Sequence, residues 1–111
     1  MNKRYRLKKS QDFAAIIKKR HSVVNKDFVL YYDKQELTNA RVGISVSKKL
    51  GKAVVRNKIK RQVRMIVSQT IDLEESYDFV VIVRQHFTRQ TYLENEQSFA
   101  KLYKQFLKKR G

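Results

Sequence analysis

Apolar positions along the chain fall into two periods, separated by polar breaks. Phe13, Ile16 and Ile17 recur at helical spacing, Ser10 is suited to cap the start and Asp12 sits in the first turn, so the pattern predicts a helix over 10–19. Residues 28–32 and 41–47 are rich in β-branched and aromatic side chains and are joined by a polar connection over 33–40, which predicts two adjacent strands. In the second strand Val42, Ile44 and Val46 share one face. Gly43, Ser45 and Ser47 leave the other small and polar, open to close approach by a backbone or ligand.

Over 54–70 the apolar positions Val55, Ile59, Val63, Ile66, Val67 and Thr70 follow the helical period. After an acidic turn over 72–78, the unbroken run 79–83 (Phe-Val-Val-Ile-Val) reads as a strand covered on both faces. Thr91 and Glu94 fit a capping box, and Phe99, Leu102, Tyr103 and Phe106 mark the seam of a last helix that runs into Lys108, Lys109 and Arg110. The predicted order is α-β-β-α-β-α, an α/β sandwich on a small mixed sheet, with a β-α-β crossover over 41–85.

Composition narrows this to one folded unit. The 111 residues include no proline, three glycines and no repeat or linker, so a single domain over 1–111 is predicted. A hydrophobic content of 41% excludes a wholly disordered basic tail. No apolar run approaches the roughly 18 to 20 residues that span a bilayer. The basic N-terminus leads into no signal-like apolar stretch, and cysteine is absent; together these predict a cytoplasmic protein without a disulfide framework.

Charge changes the picture most. The formal net charge is +16, and between Glu36 and Asp72 there is no acidic residue but nine basic ones, eight of them within 48–64. Such a concentrated field calls for a polyanionic partner, nucleic acid first and an anionic membrane surface second. On the predicted helix Arg56, Lys60 and Arg64 recur at i, i+4 and i+8, with Asn57 and Arg61 one step around. Lys48, Lys49, Lys52, Arg56 and Lys58 lie at or before its N-terminus, where the helix dipole disfavours each cation by about 0.3 to 1 kcal/mol. The same end offers N–H groups and guanidinium forks to a phosphate.

The segment from Val42-Gly-Ile-Ser-Val-Ser-Lys-Lys-Leu-Gly51 through Ala53-Val-Val-Arg-Asn-Lys-Ile-Lys-Arg61 to Arg64 resembles the signature of the bacterial ribonuclease P protein subunit, with Lys58 third in an Arg-Asn-Arg-like triplet. The resemblance extends from Arg6-Leu-Lys-Lys and Asp12-Phe13 through Phe28-Val-Leu-Tyr31 to Val83-Arg84. It implies a partner RNA that carries the catalysis, a precursor tRNA whose 5′ leader is removed, and a left-handed crossover, against a right-handed preference of about 98%; no obligate protein partner is evident in the sequence. It further implies that Arg56, Asn57, Lys60, Arg61 and Arg64, within a basic surface that also includes Lys48, Lys49, Lys52 and Lys58, face the catalytic RNA. Phe13, Ile17 and Tyr31 match the positions of a leader-binding cleft, Ile17 standing where many relatives carry an aromatic. Mg²⁺ is then expected to be held mainly by RNA and not by the protein alone.

The residues by themselves leave room for a structural RNA-binding protein of ribosomal type, and for ordinary core packing of Phe13 and Tyr31. A protein active site is not legible: His21 and His86 stand apart from any nucleophile pattern, and Asp72, Glu74, Glu75 and Asp78 read as a polar turn and not a metal cage.

Overall fold

In the computed structural model, which describes residues 3–36 and 39–110, the apolar run 79–83 lies in the middle of a four-stranded sheet. The helices are α1 (Ser10–Lys18), α2 (Ala53–Thr70) and α3 (Tyr92–Arg110). The strands are β1 (Ser22–Val24), β2 (Phe28–Lys34), β3 (Arg41–Ser45) and β4 (Tyr77–Val83), and the chain order is α1-β1-β2-β3-α2-β4-α3. Across the sheet the order is β1-β2-β4-β3, with β2 antiparallel to β1 and β4, and β3 parallel to β4.

Two sequence expectations are corrected here. Residues 28–32 and 41–47 do not form neighbouring strands, because β4 inserts between them. The central place goes to the strand that is apolar on both sides, while Arg41, Gly43 and Ser45 suit β3 to an edge. The connection after β2 bonds instead to the turn before β4, Gln35 N–H to Ser76 O at 3.0 Å and Ala40 N–H to Leu73 O at 2.9 Å. Strand β1 was not predicted, since three residues carry no readable alternation. It is specified by Asn25, whose Oδ1 accepts from the N–H groups of Asp27 (3.0 Å) and Phe28 (2.9 Å) and turns the chain into β2.

Helix ends also differ in detail. Lys9, not Ser10, occupies the N-cap of α1, and no side chain caps it. Thr91 and Glu94 do form the capping box of α3, Thr91 N–H donating to Glu94 Oε1 at 3.0 Å and Glu94 N–H to Thr91 Oγ1 at 3.2 Å.

Helices α2 and α3 cover one face of the sheet. Ile59, Val63, Ile66 and Val67 of α2 and Phe99, Leu102, Tyr103 and Phe106 of α3 close on Phe28, Leu30, Val42, Phe79 and Val81. Val55, expected in the α2 seam, stands in the first turn of α2 and is 45% exposed. Among the described residues helix α1 alone covers the other face, where Leu7, Ile16 and Val80 form a smaller cluster.

Candidate nucleic-acid interface

The cationic residues are arranged by the geometry of α2. Successive helix residues turn by about 100°, so Arg56, Lys60 and Arg64 line one flank of the buried seam. All three are half-buried. Asn57 and Arg61 form the exposed crest. Lys58 lies on the opposite flank, where it borders a shallow groove with Val55, Gln62 and Phe87, so the structure does not bring it together with Lys60 and Arg64.

Lys48 and Lys49 stand on a 3₁₀ turn (Lys48–Leu50) that leads into α2, and Lys52 is its N-cap residue. Ser47 Oγ accepts from Lys49 N–H at 3.2 Å and fixes the turn. Gly51 follows at φ 140°, a backbone region that favours glycine, and a methyl group there would lie 3.0 Å from Val55 Cγ1. The helix starts with no side-chain cap and no acidic residue in its first turn, which leaves backbone N–H groups pointing outward among cations.

Among the described residues none of these eight cations is in an ion pair. The Arg and Lys residues that do find acids lie elsewhere. Arg41 grips the buried Asp78 with Nε at 2.9 Å and Nη2 at 2.7 Å, Lys19 reaches Asp33, and Arg110 pairs with Glu75. Arg56 Nε is buried with no hydrogen-bond partner. A free face of this kind is destabilised by its own field and relieved by bound phosphates.

The three cleft residues do come together. Phe13 and Ile17 of α1 and Tyr31 of β2 are half-buried around Leu7, Ile16 and Val80, with Ile82 beside them. Strand pairing places Tyr31, Val80 and Gly43 in one row across the sheet. The ring of Phe13 rests on Gly43, where a methyl group would lie 2.2 Å from Phe13 Cζ. The small surface seen in the sequence therefore seats an aromatic ring of the same chain.

The next row, Val24, Val29, Ile82 and Ser45, carries no fully buried residue, and Val24 is 49% exposed. The run 79–83 is thus not covered on both faces along its whole length. Ile82 forms part of an open floor that the sequence pattern did not reveal, since an apolar run looks the same whether or not a helix lies over it.

His86 is not alone, as the sequence suggested. Its Nδ1 meets Oδ1 of the fully buried Asp27 at 2.7 Å, and Ser98 Oγ donates to Oδ2 at 2.6 Å. Burial pushes the Asp27 carboxyl up, but hydrogen bonds from Ser98, His86 and Gln90 outweigh it and hold the group below its ordinary value. Ser98 and His86 both point at the carboxylate and not at each other, so this is a fastening between the turn before β2, the segment after β4 and α3. It is not a nucleophile and its base.

Among the described residues no group of three His, Asp or Glu side chains could hold a metal ion. A hard divalent cation needs converging carboxylate or carbonyl oxygens, and the α2 face offers cations instead, so these side chains do not fit a resident Mg²⁺. Among the described residues no helix is long and apolar enough to cross a membrane.

An uncompensated cationic helix on one face of the sheet and a half-open aromatic cleft on the other have the chemistry that polyanions and unpaired bases require. The family model for Ribonuclease P matches residues 1–107. The ribonuclease P protein component of Bacillus cereus (strain G9842) is 43% identical over 106 residues, covering 94% of this chain and 92% of that protein. The solved structure of the Staphylococcus aureus RNase P protein is similar with a TM-score of 0.81 at 45% identity, over 90% of this chain and 93% of that one. The RNase P protein of Thermotoga maritima gives a TM-score of 0.77 at 35% identity, over 87% and 93%. Matches of this extent leave one assignment: the chain belongs to the bacterial ribonuclease P protein family, as the subunit that partners ribonuclease P RNA in processing the 5′ ends of tRNAs.

Proposed function

We propose that the two halves of this surface divide the work of the holoenzyme: the α2 face, with Lys48, Lys49, Lys52, Arg56, Asn57, Lys60, Arg61 and Arg64, holds the catalytic RNA, and the cleft of Phe13, Ile17 and Tyr31 holds the single-stranded leader of precursor tRNA. Lys58, on the far flank of α2, would reach a separate stretch of RNA backbone. The observation that carries this reading is that, among the described residues, no cation of the face has a counter-ion, while Lys19, Arg41 and Arg110 elsewhere are paired with acids. Aromatic faces accept any base, which suits a leader of variable sequence. Cleavage would occur at Mg²⁺ held by RNA oxygens, with the protein lowering the repulsion between catalytic RNA and substrate. Such a particle acts where tRNA precursors are made, in the cytoplasm.

The test is reconstitution with the cognate ribonuclease P RNA. Arg61→Ala and Arg64→Ala should raise the Mg²⁺ needed for precursor cleavage, with a Tm close to wild type, because an unpaired surface cation contributes little to stability. Variants that unfold early yet cleave normally once assembled would assign these arginines to structure and overturn the reading.

A further inference from the structure

The N-terminal segment is fastened to the free edge of β3. Arg6 bridges Val42 in parallel register, and Leu7 N–H donates to Val42 O at 2.9 Å. Leu7 is 5% exposed and packs against Ile16 and Val80 beneath α1, so it anchors the segment on one face of the sheet. An extended strand alternates its side chains, and Arg6 and Lys8 accordingly emerge on the other face, toward α2. There they form one wall of a groove of about 310 Å³, with Lys60 and Arg64 as the opposite wall and Val42 and Ile44 as the floor. Among the described residues no acidic side chain lines it. Arg6 Nε is buried in this arrangement without a hydrogen-bond partner, a donor position that the protein itself does not use.

The two walls have matching spacing. Residues two apart on a strand are separated by about 7 Å, and residues four apart on a helix by about 6 Å of rise. Two rungs of paired cations therefore stand over an apolar floor, which suits successive phosphates of one strand and offers nothing to a neutral ligand.

We propose that Arg6 and Lys8 form a phosphate clamp that closes on an RNA backbone against Lys60 and Arg64. The clamp rests on the reading of α2 as the RNA-binding face and adds a second wall to it. Leu7 is its positioning residue, since it holds both cations in place from the far side of the sheet.

The experiment measures how affinity for the cognate ribonuclease P RNA depends on salt, for wild type, Arg6→Ala/Lys8→Ala and Arg64→Ala, with Tm recorded for each. Loss of two phosphate contacts should flatten the slope of log K against log salt by about 1.4 to 1.8. The charge-keeping pair Arg6→Lys/Lys8→Arg should restore the slope, which a merely structural role of the arginine stem would not produce. A cycle combining Arg6→Ala with Arg64→Ala should be non-additive, because both hold the same phosphates. A parallel arm measures binding of leader-bearing and mature tRNA by the assembled holoenzyme. A loss in the first arm assigns the bound strand to the catalytic RNA, and a loss confined to leader-bearing substrate assigns it to the precursor. A wild-type slope in the first arm and wild-type tRNA binding in the second for Arg6→Ala/Lys8→Ala, alongside a flattened slope for Arg64→Ala, would overturn the clamp and leave the α2 reading standing. A wild-type slope for Arg64→Ala as well would remove both.

Discussion

On one face of the sheet Phe28, Phe79, Phe99 and Phe106 are fully buried and meet edge to face, Phe28 with Phe99 at 5.2 Å and Phe79 with Phe106 at 5.1 Å between ring centroids. On the other, Phe13 and Tyr31 are half-exposed beside Ile17 and Ile82. The residue types are alike; the cover differs. Helices α2 and α3, of 18 and 19 residues, close the first face, and the nine-residue α1 is alone on the second. Four strands at about 4.8 Å spacing are wider than one helix of about 10 Å diameter can cover. The comparison teaches that an aromatic stabilises or binds according to how many helices stand over it.

The largest expected effect lies on the covered face. Phe106→Ala should destabilise the fold by about 3 to 5 kcal/mol, the range of buried aromatic truncations, read as a drop in thermal or denaturant midpoint. A loss below 1 kcal/mol would mean that the two faces do not differ as described.

The same face is tied at its edge by Asp27. Because its folded pKa is held below the ordinary value, its contribution is present above the unfolded pKa of about 3.9 and is lost as pH falls through the folded value. Asp27→Asn should lower stability at pH 7 by about 1.5 to 3 kcal/mol, since charge-assisted hydrogen bonds are lost. It should also flatten the stability curve below pH 4. A variant whose acid limb matches wild type would show that the carboxylate is not the titrating link.

Gly43→Ala probes the open face through its closest contact. The new methyl group cannot coexist with the Phe13 ring as placed, so α1 or the ring must shift, at about 1 to 3 kcal/mol. If the cleft binds leader, precursor affinity should fall as well. Unchanged stability would show that Phe13 moves aside at no cost.

Of these sheet-facing residues, the smallest effect on stability, and the sharpest on function, belongs to the half-buried rings. Phe13→Ala and Tyr31→Ala should lose far less stability than Phe106→Ala. They should weaken binding of leader-bearing precursor relative to mature tRNA by roughly five-fold or more, from about 1 to 3 kcal/mol per stacked base. An unchanged ratio in both would return these residues to ordinary packing.

Much of this was legible in the chain. Strict helical periods located α2 and α3, the Thr91 and Glu94 pair located the start of α3, and the missing acids over 37–71 located the cationic face, because each of these signals is local. Residues 28–32 and 41–47 were recognised as strands but given the wrong neighbours, since pairing depends on which strand is most apolar on both sides. His86 looked solitary because Asp27, its partner, is 59 positions away.

The sequence by itself determined the three helices, the three longer strands, the cationic stripe and the family, all of which depend on residue identity and spacing along the chain. Only the tertiary structure decided that Lys58 parts from Lys60 and Arg64, that Phe13 rests on Gly43, and that Arg6 and Lys8 face α2 across a groove. Those relations are distances between segments remote in the chain, set by sheet order and by which face each helix covers, and no local pattern of residues encodes them.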